Sequence, residues 1–220
     1  MSGKNFKTQT AKTQKGITPQ IAQELLQKGN ERFLTGKRLG RDFSEQIAQT
    51  ATGQYPFAIV LSCIDSRIPT EIVFDQGIGD IFNARIAGNF VNEDILGSME
   101  FACKLAGAKL IVVMGHTDCG AVKGACDAAK LGNLTQMLDK LRPAVEATDT
   151  APGEERSSAN ARFVNRVAVK NVELAIENIK AQSSVLRDLY EQGTIDIVPA
   201  MYDVASGKVD FLNNKQTELA

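Results

Sequence analysis

Four short apolar runs constrain the fold most: PFAIVLS (56–62), DIFNARI (80–86), KLIVVMG (109–115) and IDIVPAMY (195–202). Runs of this length and composition suit strands buried in a parallel sheet. Between them lie stretches with helical periodicity, EDILGSMEFACKLAG (93–107), NLTQMLDKLRPAVEA (133–147) and RVAVKNVELAIENIK (166–180). Strand alternating with helix predicts an α/β fold, a mostly parallel central β-sheet flanked by helices. Near the C-terminus, YDVASGKVDFL reads as a strand, a tight turn through Ser206 and Gly207, and an antiparallel edge strand. Near the N-terminus, TPQIAQELLQKGNERFL has Thr18 as N-cap, Pro19 at the first helical position, and Ile21, Leu25, Leu26 and Phe33 on one face. That stripe must cover either this subunit's core or a neighbour's. The reading is a flexible N-terminal arm over 1–17 and a single α/β domain over 18–220, with TDTAPGEERSSAN (148–160) as a loop inside it.

Composition narrows the partners. With 25 basic and 26 acidic residues and a net charge of −1, the chain lacks the electrostatic footprint of a nucleic-acid binder. Its apolar runs are too short to span a bilayer. The first 17 residues carry four lysines and no apolar core, so they are not an intact secretory signal. Four cysteines are too sparse for a disulfide scaffold, and free thiols fit a reducing compartment. The expected location is cytoplasmic, with the periplasm as the alternative if a signal peptide has been removed.

In open parallel sheets ligands bind at the carboxyl ends of strands. The first run ends at Ser62 and is followed by C-I-D-S-R (63–67); the third ends at Gly115 and is followed by H-T-D-C-G (116–120). His116 is the only histidine in the chain. If those strands are near neighbours, Cys63, His116 and Cys119 converge. Two thiolates and an imidazole form a donor set that suits zinc, and three protein ligands with an open fourth position mark the catalytic type of site. Cys126 lies two helical turns past Cys119, ~10 Å along the axis and outside any shared shell. Cys103 shares a helix face with Met99 and Ala106, which is a core position. A helix starting near Gly120 adds partial positive charge that helps hold Cys119 as a thiolate. Alone, His-x-x-Cys is more often core packing and Asp-x-Arg a solvated pair. Their coincidence at two strand ends gives them weight. The glycine-rich stretches are not nucleotide loops: GIGDIF (77–82) lacks the third glycine of a dinucleotide fingerprint, and GHTDCGAVKG lacks the Gly-Lys-Ser/Thr of a P-loop. A thiol-redox role is disfavoured because the chain has no C-x-x-C.

At these residues the chain resembles the β-class carbonic anhydrases, in their plant-like branch. The motifs are Cys63-x-Asp65-x-Arg67 and His116-x-x-Cys119-Gly120, and the likeness continues through RIAGNFVNEDILGSMEFA (85–102) and IVPAMYDVASGKVDF (197–211). It covers residues 18 to 213. The resemblance implies one Zn²⁺ per chain, ligated by Cys63, His116 and Cys119, with Asp65 and Arg67 as the catalytic dyad. It further implies Gln54 as a substrate-side glutamine, the Gly120 backbone N–H facing the bound anion, and Phe82, Ala87 and Phe101 lining a CO2 pocket. The implied reaction is reversible hydration of CO2 to bicarbonate and a proton by metal-bound hydroxide. Two thiolates cancel the charge of Zn²⁺, so the bound water should be less acidic than on three histidines. Asp65 would then orient the hydroxide while Arg67 keeps the carboxylate ionised. In the family this aspartate also swings onto zinc and closes the site. Val60 stands where the bicarbonate-regulated branch has tryptophan, so that form of shutdown is not expected. Protons must leave through buffer or exposed carboxylates. The nearest rival activity is hydrolysis of CS2 or COS; a non-catalytic zinc-binding protein is the other alternative. The family's two-fold interface implies a homodimer or dimer of dimers, with the helix from Thr18 embracing the partner, and no nucleic-acid or membrane partner.

Overall fold

The computed structural model describes residues 7–212. The apolar runs become β1 (Ala58–Ser62), β2 (Ile81–Arg85), β3 (Leu110–His116) and β4 (Asp196–Tyr202), followed by β5 (Val209–Phe211). They form one sheet in the order β2-β1-β3-β4-β5. The first four strands are parallel, and β5 returns antiparallel along β4. Central β1 and β3 are buried at every residue, as strands covered on both faces must be.

Around the sheet run α1 (Ala11–Lys15), α2 (Pro19–Leu34), α3 (Phe43–Thr50), α4 (Thr70–Val73), α5 (Glu93–Glu100), α6 (Gly120–Cys126), α7 (Gly132–Asp139), α8 (Arg142–Ala147), α9 (Ala161–Gln182) and α10 (Ser184–Glu191). Successive strand residues face opposite sides, so the sheet carries two cores. One joins Val60, Val112 and Met114 to Ala22 and Leu26 of α2 and to Phe163, Val164 and Val167 of α9. The other joins Ile59, Leu61, Ile111 and Val113 to Met99, Ala102 and Cys103 and to Val172, Ala175 and Ile179 of α9. Side-chain caps from Thr18, Asp42, Asn92, Asn160 and Ser183 satisfy backbone N–H groups at the starts of α2, α3, α5, α9 and α10.

Several expectations shift. The helix expected over 133–147 is two, interrupted at Lys140 and Leu141, with Pro143 in the first turn of α8. The helix expected over 93–107 is α5 continued by a π turn over Phe101–Leu105. Helix α9 begins five residues early, where Asn160 caps it. Of the arm over 1–17, residues 1–6 lie outside the described residues, as do 213–220 of the expected domain. Residues 11–15 form α1, and the Gln14 amide donates to the carbonyls of Pro56 and Ala106, both at 2.8 Å.

The expected apolar face of α2 divides: Leu26 is buried in this chain, while Ile21 stays 40% exposed. Ala22, Leu26, Gly29 and Asn30 form the side of α2 buried on this chain's own core. Asn30 donates to the carbonyls of Val73 (3.1 Å) and Gly207 (3.0 Å) and accepts from the Val209 N–H (2.9 Å). A Cβ on Gly29 would lie 1.8 Å from the Phe74 carbonyl oxygen, so only glycine lets the helix approach this closely. Among the described residues, no helix is long and apolar enough to cross a membrane.

Candidate metal centre

Because β1 and β3 are parallel neighbours, with Ser62 paired to Met114, the two motif loops leave the sheet side by side. Cys63 follows β1 directly, His116 is the last residue of β3, and Cys119 is the N-cap of α6. All three are buried, and their ligand atoms lie within 4.8 Å of one another. The His116 Nδ1 is 2.9 Å from the Thr117 carbonyl oxygen. Nδ1–H donating there fixes the tautomer and leaves a lone pair on Nε2. That Nε2 is buried and has no hydrogen-bond partner among the described residues. A buried, unpaired ring nitrogen is costly unless a cation takes the lone pair.

The sulfurs are equally prepared. Cys63 Sγ accepts from Cys119, from the Gly88 N–H (3.3 Å) and from the Asp65 N–H. The hydrogen bond from Cys119 leads in pulling the Cys63 thiol well below its ordinary value. Cys119 is pushed up by its bond to Cys63, by burial and by the Cys63 charge, against the N–H groups of Val122 and Ala121. A divalent cation is what lets both sulfurs be thiolates together. The donor set fits zinc.

Beside the cluster, Asp65 is bound bidentately by Arg67. Oδ1 accepts from the Arg67 backbone N–H and Nε, both at 2.9 Å, and Oδ2 accepts from Nη2 at 2.8 Å. Asp65 Oδ2 is 4.0 Å from His116 Nε2. The Arg67 hydrogen bonds pull the Asp65 carboxyl down to about 2, so it is ionised throughout the neutral range. Four residues that sequence reasoning missed complete this shell. Asp118, at φ +57°, meets Arg67 at 3.4 Å and is bonded by Lys123. The Tyr202 hydroxyl donates to the Arg67 carbonyl at 3.3 Å. Arg85 donates to the carbonyls of Cys63 (2.9 Å) and Asp65 (2.6 Å). Register was the missing signal: Arg85 pairs with Ser62, and Tyr202 with His116.

The expected substrate residues divide. Ala87 lies in the turn after β2, one residue before the Gly88 N–H that reaches Cys63. Gly120 opens α6 beside Cys119, and a Cβ placed on it would meet nothing within 4 Å, so the space there is free. Gln54 is not at this chain's cluster. It is exposed on the loop before β1, while Cys63 follows the far end. A five-residue strand at ~3.3 Å per residue puts roughly 17 Å between those ends. Phe82 and Phe101 also sit apart. Phe82 pairs with Ile59, four positions or ~13 Å back from Cys63 along β1. The two rings meet edge to face at 6.2 Å and line an open groove of about 550 Å³ with Asn83 and Ser98.

Fold and cluster together define a class: an α/β protein whose mostly parallel sheet presents, at its carboxyl edge, a Cys-His-Cys cluster that could hold a metal ion. The sequence profile of the family described as carbonic anhydrase matches residues 58–209. The chain belongs to that family, in its β class. It is 35% identical over 191 residues to carbonic anhydrase 2 of Mycobacterium tuberculosis, a match covering 86% of this chain and 91% of that protein. It is 34% identical over 194 residues to the carbonic anhydrase of Mycolicibacterium smegmatis, covering 88% and 93%. Among solved structures, the β-carbonic anhydrase CafA of Aspergillus fumigatus superposes with a TM-score of 0.66 at 28% identity, over 77% of this chain and 81% of that one. A tetrameric β-carbonic anhydrase of Sordaria macrospora shares the fold, with a TM-score of 0.65 at 23% identity, over 77% and 90%.

Proposed function

We propose that the chain catalyses the reversible hydration of CO2 to bicarbonate and a proton, with one Zn²⁺ held by Cys63, His116 and Cys119. One observation carries the reading: an ionised carboxylate, fixed on a guanidinium, stands 4.0 Å from the unpaired nitrogen of a buried Cys-His-Cys set. Zinc, when bound there, supplies the Lewis acidity that makes water a usable nucleophile near neutral pH. Asp65 Oδ2 is the acceptor facing the cluster, and with zinc bound it would accept a hydrogen bond from the attacking water and orient it toward CO2. Arg67 binds both oxygens of that carboxylate and limits its rotation onto the cluster. Gly120 opens α6, so its N–H has no acceptor within the helix and would donate to a bicarbonate oxygen. His116 is used on the metal, so protons pass to buffer or to exposed carboxylates.

The reading includes assembly. Gln54, Phe82 and Phe101 stand too far from this chain's cluster to serve it, so they act at the cluster of a second copy, in a dimer or dimer of dimers. Exposed Phe43, Ile47, Ile64 and Ile72 supply apolar surface for such a contact. The Sordaria macrospora enzyme that shares this fold is itself tetrameric. Stopped-flow CO2 hydration and CS2 turnover, with zinc content measured on the same sample, test the proposal. One zinc per chain with rapid CO2 hydration is expected. Zinc with turnover of CS2 alone, or with no turnover, would replace the reading by one of its two rivals.

A further inference from the structure

We infer that Asn171 is a positioning residue for the metal centre, acting from α9 through the Gly88 turn on the sulfur of Cys63. The inference rests on the zinc reading above and extends it to a residue that touches neither metal nor substrate.

Asn171 is 4% exposed on a helix whose neighbouring buried residues are Val167, Ala168, Val172 and Ala175. An amide in such surroundings is unfavourable unless it is bonded. Its Nδ2 donates to the Gly88 carbonyl at 2.8 Å, across 83 positions of sequence. The N–H of the same glycine donates to Cys63 Sγ at 3.3 Å. One residue therefore has its carbonyl fixed by a buried side chain and its N–H directed at a ligand sulfur.

The turn has little freedom to do otherwise. Gly88 is at φ +82° and Asn89 at φ +41°, consecutive left-handed residues. The Asn89 N–H closes the turn on the Ile86 carbonyl at 2.9 Å, and the Ile86 N–H is tied to the Ser62 carbonyl at 3.1 Å. A Cβ on Gly88 would lie 2.6 Å from Cδ1 of Leu141, itself fully buried. The turn is thus seated between the end of β1 and Leu141, and Asn171 sets the rotation of the Gly88 peptides. Without that bond the Gly88 carbonyl is left buried and unpaired, and rotation about the Gly88 φ and ψ lets the preceding peptide carry the Gly88 N–H away from the sulfur. Outer partners of metal ligands typically contribute 10–100-fold in metal affinity or activity.

The test uses the holoenzyme. In wild-type protein loaded with cadmium-113, the Gly88 amide proton should show scalar coupling to the metal through the N–H···S bond. Asn171→Leu, which keeps bulk and removes the donor, should abolish that coupling and shift the near-ultraviolet thiolate charge-transfer band of the cobalt form. It should also release zinc to a chelator roughly 10–100-fold faster. Asn171→Ser is the smaller second variant, should Asn171→Leu fail to fold. A wild-type protein without the Gly88 coupling overturns the inference with no variant needed. So does a folded variant that is less stable but has an unchanged band and release rate, which is the signature of packing alone. Wild-type protein that takes up no zinc overturns the functional proposal itself, and the two failures are thereby distinguished.

Discussion

Arg67 does little for Asp65 by way of charge and much by way of position. The carboxyl, held at about 2, would relax toward an ordinary value near 3.8 if the guanidinium were removed, and would still be ionised at pH 7. Arg67→Ala should therefore lower turnover on the order of 100-fold at pH 7–9 with zinc retained and no new inflection above pH 5. Asp65→Asn should be comparably impaired, and the double variant little worse than either single one. A pH–rate profile at matched zinc content checks this; a new inflection near neutrality in Arg67→Ala would mean that the guanidinium acts by keeping the carboxylate charged. Linkage has a definite sign here. Because the folded value lies below the unfolded one, the pair's contribution to stability is present above about pH 4 and is lost as pH falls through about 2. The ligand residues give a second prediction. His116→Ala and Cys119→Ser should lose zinc by metal analysis, while Cys103→Ser and Cys126→Ser should keep it. Cys103 packs in the core beneath the sheet, where burial pushes its thiol up to about 12, and neither residue belongs to the cluster.

At the scale of elements, the direction of β1 separates what the motif spacing joined. Gln54 and Cys63 are nine residues apart in sequence, but an extended strand puts them at opposite ends of the sheet. This yields a test by subunit mixing. Gln54→Ala retains a cluster without its glutamine, and Cys119→Ser retains a glutamine without its cluster. If Gln54 serves a second copy, the two nearly inactive variants, unfolded and refolded together, should regain a substantial fraction of wild-type turnover. Absence of any recovery would return Gln54 to a loop role. The same geometry explains how much was legible in the sequence. The apolar runs identified β1 to β4, and motifs at the ends of two of them predicted the cluster, because parallel neighbours deliver their loops to one edge. Arg85 and Tyr202 were invisible because only pairing register puts them beside Ser62 and His116. Helices α3 and α10 were missed because each is eight residues long, too short for periodicity to stand out. The face of α2 was legible only in part, since apolar periodicity grouped exposed Ile21 with buried Leu26 and passed over the close packing of Gly29 and Asn30.

For the whole molecule, the expected species is an assembly joined through apolar side chains. Light scattering on fully active protein should give a multiple of 23.8 kDa. A net charge of −1 offers little long-range repulsion between copies, and added salt should not dissociate a contact made by Phe43, Ile47 and Ile72. A mass near one chain at full activity would remove the partner from the mechanism. The distance in sequence between the two ligand loops has a further consequence, for the order in which the molecule comes into being. Cys63 leaves the ribosome about fifty residues ahead of His116, which at usual rates of synthesis is roughly 3 to 10 s. During that interval the nascent chain holds only one of the cluster's three donors, with Cys103 the one other sulfur to emerge before His116, so it cannot assemble the site. Metal capture must wait for the partner strand that brings His116 and Cys119, and for the much later Asn171 that steadies the Gly88 turn.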